Sequence, residues 1–189
     1  PSAVRGIIEA VYWKPAIRWV IDRIHVLNPI HFTNIRRNEV ADKAPFPTAN
    51  SLMKGTSNND FFLDVLSSRQ QRAAMVLKDV DYIVEAHFEM VPEKAGETDT
   101  PEKHYNIVLR RLRKGQHHSQ PCLGTREFAA NVSIVEDEPI PVSQLHGKED
   151  LGWMLYDMDF SNPEDIRPVF FRAVMVDGIL DLRDVVKAS

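Results

Sequence analysis

Residues 100–115 place the firmest constraint on the fold, because they carry signals for both ends of one helix. Thr100 is a favourable N-cap residue, Pro101 suits the first helical position, and Gly115 ends the pattern. Apolar residues at helical spacing form the stripe that we expect to be buried: Tyr105, Val108, Leu109 and Leu112. The helix must therefore pack one face against the rest of the chain and expose the other.

The exposed face of this helix is predicted to be cationic. Lys103, Arg110 and Lys114 point away from the apolar stripe. His104 and Arg111 point to one side of it, so a lysine and a histidine stand in the first exposed turn. In an arbitrary chain, such a face is usually solvated surface without a function. The rest of the sequence decides whether these two side chains do chemistry.

Composition narrows the class of protein. With 189 residues, 43% of them hydrophobic, the chain can bury a core as one large domain or two small ones. No apolar run approaches membrane-spanning length, and no signal peptide is visible. The single Cys122 rules out an intramolecular disulfide framework. We therefore expect a protein of the reducing cytoplasm that has no membrane partner.

Charge is distributed unevenly along the chain. The net charge is −4, which argues weakly against a nucleic-acid partner. Residues 136–165, however, hold nine acidic side chains and only Lys148 as a base, a local charge of −8. The remainder therefore carries +4, which is compatible with a polyanion bound at one face.

The N-terminal half shows one helix followed by strand patterns. Ser2 is predicted to cap a helix over residues 3–13, which Pro15 ends. Extended segments are predicted at 17–28, 31–37, 73–77 and 80–90. Residues 38–72 lack a hydrophobic period, so we expect a long mobile insertion with one helical turn near 61–66.

The C-terminal half is predicted to consist of strands after the helix at 101–114. These strands cover residues 126–135, 151–160, 168–176 and 179–183. Asp177-Gly178 is a strong signal for a tight hairpin between the last two. Tryptophans 13, 19 and 153 are expected in the core.

The order of elements predicts an α+β protein. One strand before Pro1 would complete a βαββαβ order, the ferredoxin-like or RNA-recognition-motif-like arrangement. That strand is central in the topology, so we expect it to have been cut off or to lie outside this sequence. The predicted domains are a ferredoxin-like domain at 1–135, with an inserted hairpin or loop near 31–77, and a small C-terminal antiparallel β-sheet domain at 136–189.

No motif for a metal or a cofactor is found. His117, His118 and Cys122 lack a second pair of ligands at suitable spacing, so the sequence does not predict a metal site there. The glycines are scattered and form no phosphate-binding loop, and no nucleophile-elbow motif is present. We therefore predict chemistry that uses neither a metal nor a cofactor.

Tyr12, Lys103 and His104 suit metal-free RNA cleavage. In a ferredoxin-like fold the two helices pack side by side, so Tyr12 at the end of the first could meet the start of the second. A histidine moves protons near neutral pH, and the N-terminus of a helix favours its neutral form. Lys103 can stabilise a charged phosphorane, and Tyr12 can orient or deprotonate the ribose 2′-OH.

Several runs of sequence resemble one family. They are residues 6–17 (GIIEAVYWKPAI), 79–82 (DVDY), 86–88 (AHF), 103–105 (KHY), 123–127 (LGTRE), 151–154 (LGWM) and 172–175 (RAVM). Together they are similar to the CRISPR-associated endoribonuclease of type I-C systems, the d-variant of Cas family five. The resemblance covers essentially the whole chain.

The resemblance implies a fold, an activity and a site. Members of this family combine a ferredoxin-like domain with a small C-terminal sheet. They cut precursor CRISPR RNA at the repeat hairpin without metal and stay on it in the surveillance complex. The family's catalytic tyrosine, lysine and histidine fall on Tyr12, Lys103 and His104. The implied partners are CRISPR repeat RNA and the other subunits of the type I-C complex.

Basic side chains supply the predicted RNA-binding surface. They are Arg5, Lys14, Arg36, Arg37, Arg110, Arg111, Lys114, His117 and Arg126. Attack by the 2′-OH would leave a 2′,3′-cyclic phosphate on the product. The alternative hypothesis is a non-catalytic RNA-binding scaffold subunit that caps the 5′ handle of the guide RNA. A third and weaker hypothesis, non-specific binding of double-stranded DNA, is compatible with either.

Overall fold

The computed structural model describes residues 1–43, 45–56, 62–162 and 164–188. Its contacts divide the chain into two compact units, Pro1–Pro29 with Asp81–Ser189, and Ile30–Val80. The helices are α1 (Ser2–Val11), α2 (Phe46–Met53) and α3 (Pro101–Arg113), with a short 3-10 helix at Pro92–Lys94. The strands are β1 (Ile17–Val26), β2 (His31–Val40), β3 (Arg69–Lys78), β4 (Tyr82–Met90), β5 (Lys148–Asp159), β6 (Arg167–Val176), β7 (Ile179–Asp181) and β8 (Lys187–Ala188).

The larger unit is built on one antiparallel sheet. Its strand order is β4-β1-β7-β6-β5, and β8 pairs with β6. The chain is thus an α+β protein, as the order of sequence patterns predicted. Among the described residues, β4 has a strand neighbour on one side only, so it forms an edge of the sheet.

Helices α1 and α3 lie on one face of this sheet. Side chains of β1 alternate, and Ile17, Trp19 and Ile21 all point to the helical side. Val4 of α1 packs against Ile21, while Val108 of α3 belongs to the cluster that contains Ile17 and Trp19. Burial of such side chains is the main stabilising force of a domain, so this face holds the two helices next to each other.

The C-terminal strands extend the same sheet. In β7, Leu180 lies opposite Ile24 of β1, and β6 follows β7 in the strand order. The predicted hairpin is confirmed, because Asp177 and Gly178 both adopt positive φ angles, 48° and 76°. A Cβ atom on Gly178 would lie 2.0 Å from the hydroxyl of Ser143, so space as well as φ requires glycine there. The division into domains at residue 136 stays a prediction.

The smaller unit is a hairpin with one helix. Strands β2 and β3 pair along their full lengths, from His31 opposite Lys78 to Val40 opposite Arg69. The expectation of an irregular segment over residues 38–72 is wrong where β2, α2 and β3 enter it. Backbone hydrogen bonds between two neighbouring strands form without an apolar period, and this period was the only signal used. The helical turn predicted near 61–66 starts at Phe61, outside the described residues.

The strand predicted at 126–135 is absent from the structure. Only an isolated bridge joins Cys122 and Ala129. Val132 and Ile134 are half-buried while Ser133 and Val135 are exposed, so the alternation that suggested a strand does correspond to alternating burial. A strand also requires a neighbouring strand, and the described residues provide none for this segment.

Two of the three tryptophans lie outside the core. Trp19 is buried, as predicted, and donates its indole N–H to the backbone oxygen of Tyr12 at 2.8 Å. Trp13, between α1 and β1, and Trp153 of β5 are exposed, and neither belongs to the two buried clusters. None of the described helices combines the length and apolar character needed to cross a bilayer.

Candidate active site

The end of α1 positions Tyr12. The helix stops at Val11, and Tyr12 has extended backbone angles, φ −153° and ψ 125°. This turn out of the helix carries its ring into the cluster formed with Trp19 and Val108. Tyr12 is therefore a buried residue, and only its hydroxyl requires a polar partner.

The start of α3 positions Lys103 and His104. Thr100 is the N-cap, as predicted, and its hydroxyl accepts a hydrogen bond from the backbone N–H of Lys103 at 3.3 Å. Pro101 occupies the first turn. The cap thus determines where the first helical turn begins and which side chain of this turn faces the sheet.

The buried stripe of α3 differs from the prediction. His104 is 0% exposed and Val108 is buried one turn later, whereas Tyr105 is 56% exposed. Ile107 and Leu112 pack against the same cluster. The apolar pattern assigned Tyr105 to the core and His104 to the surface because histidine counts as polar. A histidine is buried readily when one of its ring nitrogens has a hydrogen-bond partner.

Tyr12 supplies that partner. Its hydroxyl lies 2.8 Å from Nδ1 of His104, and the two ring centroids are 5.9 Å apart. The edge of Phe88 on β4 packs against the imidazole, with centroids 6.2 Å apart. Two residues 92 positions apart in the chain are thus joined by a short, buried hydrogen bond.

Burial raises the pKa of the Tyr12 phenol above its ordinary value, and the negative charge of Asp99 raises it further. The positive charge of Arg111 lowers this pKa, with an effect smaller than that of burial and larger than that of Asp99. The phenol therefore keeps its proton at neutral pH and does not act as a pre-formed phenolate base. It can donate this proton in its hydrogen bond with the imidazole.

Lys103 lies at the border of the site. Its Nζ donates to the backbone oxygen of Thr98 at 3.0 Å and to Oδ1 of Asp99 at 3.2 Å. The side chain is still substantially exposed to solvent. A phosphate that approaches from solvent can therefore reach the ammonium group, which the loop before α3 holds by hydrogen bonds.

Arg111 has a role in the site that the sequence did not indicate. It was predicted to bind RNA, but its Nη1 donates to the backbone oxygen of Val11 at 2.6 Å. Its guanidinium lies 5.2 Å from the centre of the Tyr12 ring. Arg111 thus links α3 to the end of α1 at the point where Tyr12 leaves the helix. The one sequence feature consistent with this contact is that Arg111 and His104 lie on the same side of the predicted helix.

The other predicted RNA-binding residues are distributed over both units. Arg5 is half-buried and pairs with Glu9 and Asp157. On the larger unit, four further residues are exposed: Lys14, Arg110, Lys114 and His117. Arg126 is likewise exposed there, in a turn. Arg36 and Arg37 belong to β2 of the smaller unit, where Arg37 pairs with Glu39.

The described residues provide no cluster of side chains suited to a metal ion. No group of three histidine, cysteine, aspartate or glutamate side chains is placed there to hold an ion. The arrangement can hold a proton on a phenol, pass it to an imidazole, and offer an ammonium group to an anion.

Comparison with known proteins places the chain in a family. The sequence model of the Cas5d family, described as CRISPR-associated protein (Cas_Cas5), matches residues 1–183. Relatives from Mannheimia succiniciproducens and Thermus thermophilus both carry the name CRISPR pre-crRNA endoribonuclease Cas5d. The first is 47% identical over 186 residues, which are 96% of this chain and 81% of the relative. The second is 40% identical over 160 residues, which are 85% of this chain and 61% of the relative.

Solved structures support the fold. A functionally uncharacterized protein from Streptococcus mutans matches with a TM-score of 0.68 and 24% identity, covering 100% of this chain and 85% of the other. A CRISPR-associated protein matches with a TM-score of 0.67 and 23% identity, covering 100% of this chain and 84% of the other. At this level of identity, the likeness concerns the fold alone.

Proposed function

Since the chain belongs to the Cas5d family of CRISPR-associated proteins, we propose that it is an endoribonuclease that cleaves precursor CRISPR RNA at the repeat hairpin. The observation that carries the proposal is the buried hydrogen bond of 2.8 Å between the Tyr12 hydroxyl and Nδ1 of His104. Lys103, which directly precedes His104 in α3, stands at the border of this pair with its ammonium group accessible.

The proposed reaction needs three things from these residues. The ribose 2′-OH must lose a proton as it attacks phosphorus, the phosphorane must be stabilised, and the departing 5′-oxygen must gain a proton. Tyr12 takes the proton of the 2′-OH while it passes its own to His104, so the phenol never has to ionise by itself. Lys103 stabilises the extra charge on the phosphorane, and water protonates the 5′-oxygen. The product carries a 2′,3′-cyclic phosphate.

A non-catalytic role is the second candidate, and one observation favours it. His104 is 0% exposed and Tyr12 is buried, so a ribose does not reach the pair in this state. A scaffold subunit that caps the 5′ handle of a guide RNA would need only the exposed cations. Cleavage requires that RNA binding exposes the Tyr12 hydroxyl to the ribose.

The proposal extends to partners and to the arrangement of the fold. CRISPR repeat RNA would be the substrate, and the other subunits of a type I-C complex would be the partners after cleavage, in the cytoplasm. Double-stranded DNA is a further, non-specific candidate ligand for the exposed cations. A ferredoxin-like arrangement of the first part is supported by antiparallel β1 and β4 with α1 and α3 on one face.

A cleavage assay tests the proposed activity. Repeat RNA is incubated with the protein in EDTA, and the 3′ end of the upstream product is analysed for a cyclic phosphate. We expect cleavage at one position, no effect of chelation, and no cleavage when the nucleotide before the cut carries 2′-deoxyribose. Tight binding of repeat RNA without cleavage, in all these conditions, would establish the scaffold role instead.

A further inference from the structure

Asp99 lies where it can act on two residues of the site at once. Its Oδ1 is 3.2 Å from Nζ of Lys103 and 3.5 Å from Nε2 of His104. Both partners belong to the first turn of α3, and Asp99 stands directly before the N-cap. One carboxylate oxygen is therefore shared between the ammonium group and the imidazole.

The carboxylate is held in place from behind by a tight turn. Its Oδ2 accepts the backbone N–H of Gly96 at 3.1 Å, and the backbone N–H of Asp99 donates to the oxygen of Gly96 at 2.9 Å. The Gly96 N–H, and next Lys103, hold the pKa of the Asp99 carboxyl below its ordinary value. A charged carboxylate is thus present at neutral pH, in a position that its own backbone determines.

This position selects one tautomer of His104. Nδ1 faces the Tyr12 hydroxyl at 2.8 Å, while Nε2 is completely buried and has no hydrogen bond of its own. A lone pair on Nε2 would face a carboxylate, which is repulsive, whereas an N–H there would point its positive end at the charge. The proton therefore belongs on Nε2, and Nδ1 keeps the lone pair that accepts the Tyr12 O–H.

We infer that Asp99 is a positioning residue of the cleavage site, which orients the His104 imidazole and fixes its Nε2–H tautomer. This inference rests on the proposed function. Without the carboxylate, the other tautomer would place a proton on Nδ1, and Tyr12 would lose its acceptor. The arrangement resembles a Ser-His-Asp triad, in which the carboxylate orients the imidazole and the imidazole accepts a proton from a hydroxyl. Here the hydroxyl is that of Tyr12.

Each proton that moves in the proposed step has a named donor and a named acceptor. As the 2′-oxygen bonds to phosphorus, its proton goes to the oxygen of Tyr12, and the phenolic proton goes to Nδ1 of His104. The bond from phosphorus to the 5′-oxygen breaks, and that oxygen takes a proton from water. The imidazolium then carries protons on both nitrogens, and the one on Nε2 faces Asp99, which stabilises the charge. His104 afterwards returns its proton to solvent by way of Tyr12.

A purely structural role for Asp99 predicts different results. If Asp99 only anchored Lys103, its loss would alter the affinity for RNA and leave the imidazole unchanged. If it only stabilised the loop, its loss would lower the melting temperature without a selective effect on turnover. The turnover number, RNA affinity and tautomer state together separate these cases.

The test compares Asp99→Asn with the control Asp159→Asn. Asp159 also accepts a backbone N–H, that of Ser161 at 2.9 Å, and it lies at the end of β5. Turnover of repeat RNA and the Kd for a 2′-deoxy, uncleavable repeat are measured for each protein. The ¹⁵N shifts of the His104 ring, assigned by their absence in His104→Gln, report the tautomer.

We expect the wild type to show the Nε2–H tautomer. Asp99→Asn should lower kcat by about 10²- to 10⁴-fold, without weaker RNA binding, and should introduce the Nδ1–H tautomer. Asp159→Asn should match the wild type in all three measurements. An unchanged kcat in Asp99→Asn, or a fall in kcat with the tautomer unaltered, would overturn the inference.

If Asp99→Asn does not fold, the tautomer of His104 in the wild type still tests the inference. An Nδ1–H signal in the wild type contradicts the inference, because Nδ1 would then be unable to accept the Tyr12 proton. The proposed function fails separately, through absence of cleavage by the wild type. Its failure would leave the tautomer measurement as valid evidence on what Asp99 does to His104.

Discussion

His104 occupies a position in which stability and chemistry depend on the same atoms. It is completely enclosed, and its Nδ1 satisfies the buried hydroxyl of Tyr12. An ordinary exposed histidine could be replaced without effect on stability, but this one fills core volume. Variants of His104 must therefore be chosen so that loss of activity is not mistaken for loss of the fold.

His104→Ala and His104→Gln separate the two roles. Alanine leaves a cavity and a phenol without a partner, so we expect the free energy of unfolding to fall by about 2–4 kcal/mol. Glutamine keeps most of the volume and a polar group, so its effect on unfolding should be smaller. Neither side chain moves protons near neutral pH, and cleavage should fall by about 10²- to 10⁴-fold in both. Denaturant titration and single-turnover kinetics provide the measurements.

The result with glutamine is the decisive one for His104. If His104→Gln is folded and cleaves at the wild-type rate, the imidazole is not a proton acceptor. Only the volume and polarity that glutamine shares with histidine would then be required at this position.

Among the secondary-structure elements, the N-terminus of α3 determines where two residues of the site lie. Thr100 caps the helix, and the capped turn contains Lys103 and His104. Thr100→Ala removes the acceptor and should lower the free energy of unfolding by about 1 kcal/mol. Fraying of the first turn should also reduce cleavage several-fold. Thr100→Ser keeps a hydroxyl and serves as the control, so equal losses in the two variants would contradict a capping role.

The outer side of α3 supplies a matched pair of arginines for testing RNA contact. Arg110 is exposed, whereas Arg113 is exposed but paired with Glu136, with Nη2 2.5 Å from Oε1. A side chain that contacts phosphate adds about one unit to the slope of log Kd against log salt. We expect Arg110→Ala to reduce that slope by about one and Arg113→Ala to change it less. Titrations of repeat RNA between low and high salt measure both, and equal slopes in wild type and Arg110→Ala would place the RNA elsewhere.

For the molecule as a whole, charged pairs on the polar face of the sheet make the free energy of unfolding depend on pH in the acidic range. On the side away from α1 and α3, Glu85 of β4 pairs with His25 and Arg23 of β1. The hydrogen bond from His25, and then Arg23, lower the pKa of Glu85 below its ordinary value. Arg183 and Arg23 lower that of Asp181 as well.

The sign of this pH dependence follows from the lowered pKa values. A carboxyl group whose pKa is depressed by folding stabilises the folded state at any pH above its unfolded pKa, about 4. That contribution disappears as the pH falls through the lower, folded pKa. We therefore expect the melting temperature to decline below about pH 4. Glu85→Gln should melt lower than wild type at pH 7, and the two should converge at pH 2 to 3.

The control for the acid prediction is Glu138→Gln, which removes one exposed carboxylate from the loop after α3. Its melting temperature should follow that of the wild type at every pH. A difference between wild type and Glu85→Gln that stays constant from pH 7 to pH 2 would contradict the assignment to the pairing of Glu85.

Features that depend on neighbouring residues could be predicted from the amino-acid sequence. The cap at Thr100, the Asp177-Gly178 turn, and most strands of the larger unit follow from local backbone chemistry and from period. The meeting of Tyr12 with α3 was also predicted, because two helices on one face of a sheet are forced to pack side by side. Family membership was readable from short runs spread over the whole chain.

Features that depend on residues far apart in the chain could be seen only in the folded protein. His104 is buried because Tyr12, 92 positions away, satisfies its Nδ1, and no hydropathy pattern contains that contact. The segment at 126–135 has the alternation of a strand, but a ladder needs a neighbour that the described residues do not offer it. Arg111 acquired its contact with the backbone oxygen of Val11 in the same way. Hydrogen-bond partners and strand neighbours are properties of the folded chain, and they determine which polar residues can be enclosed.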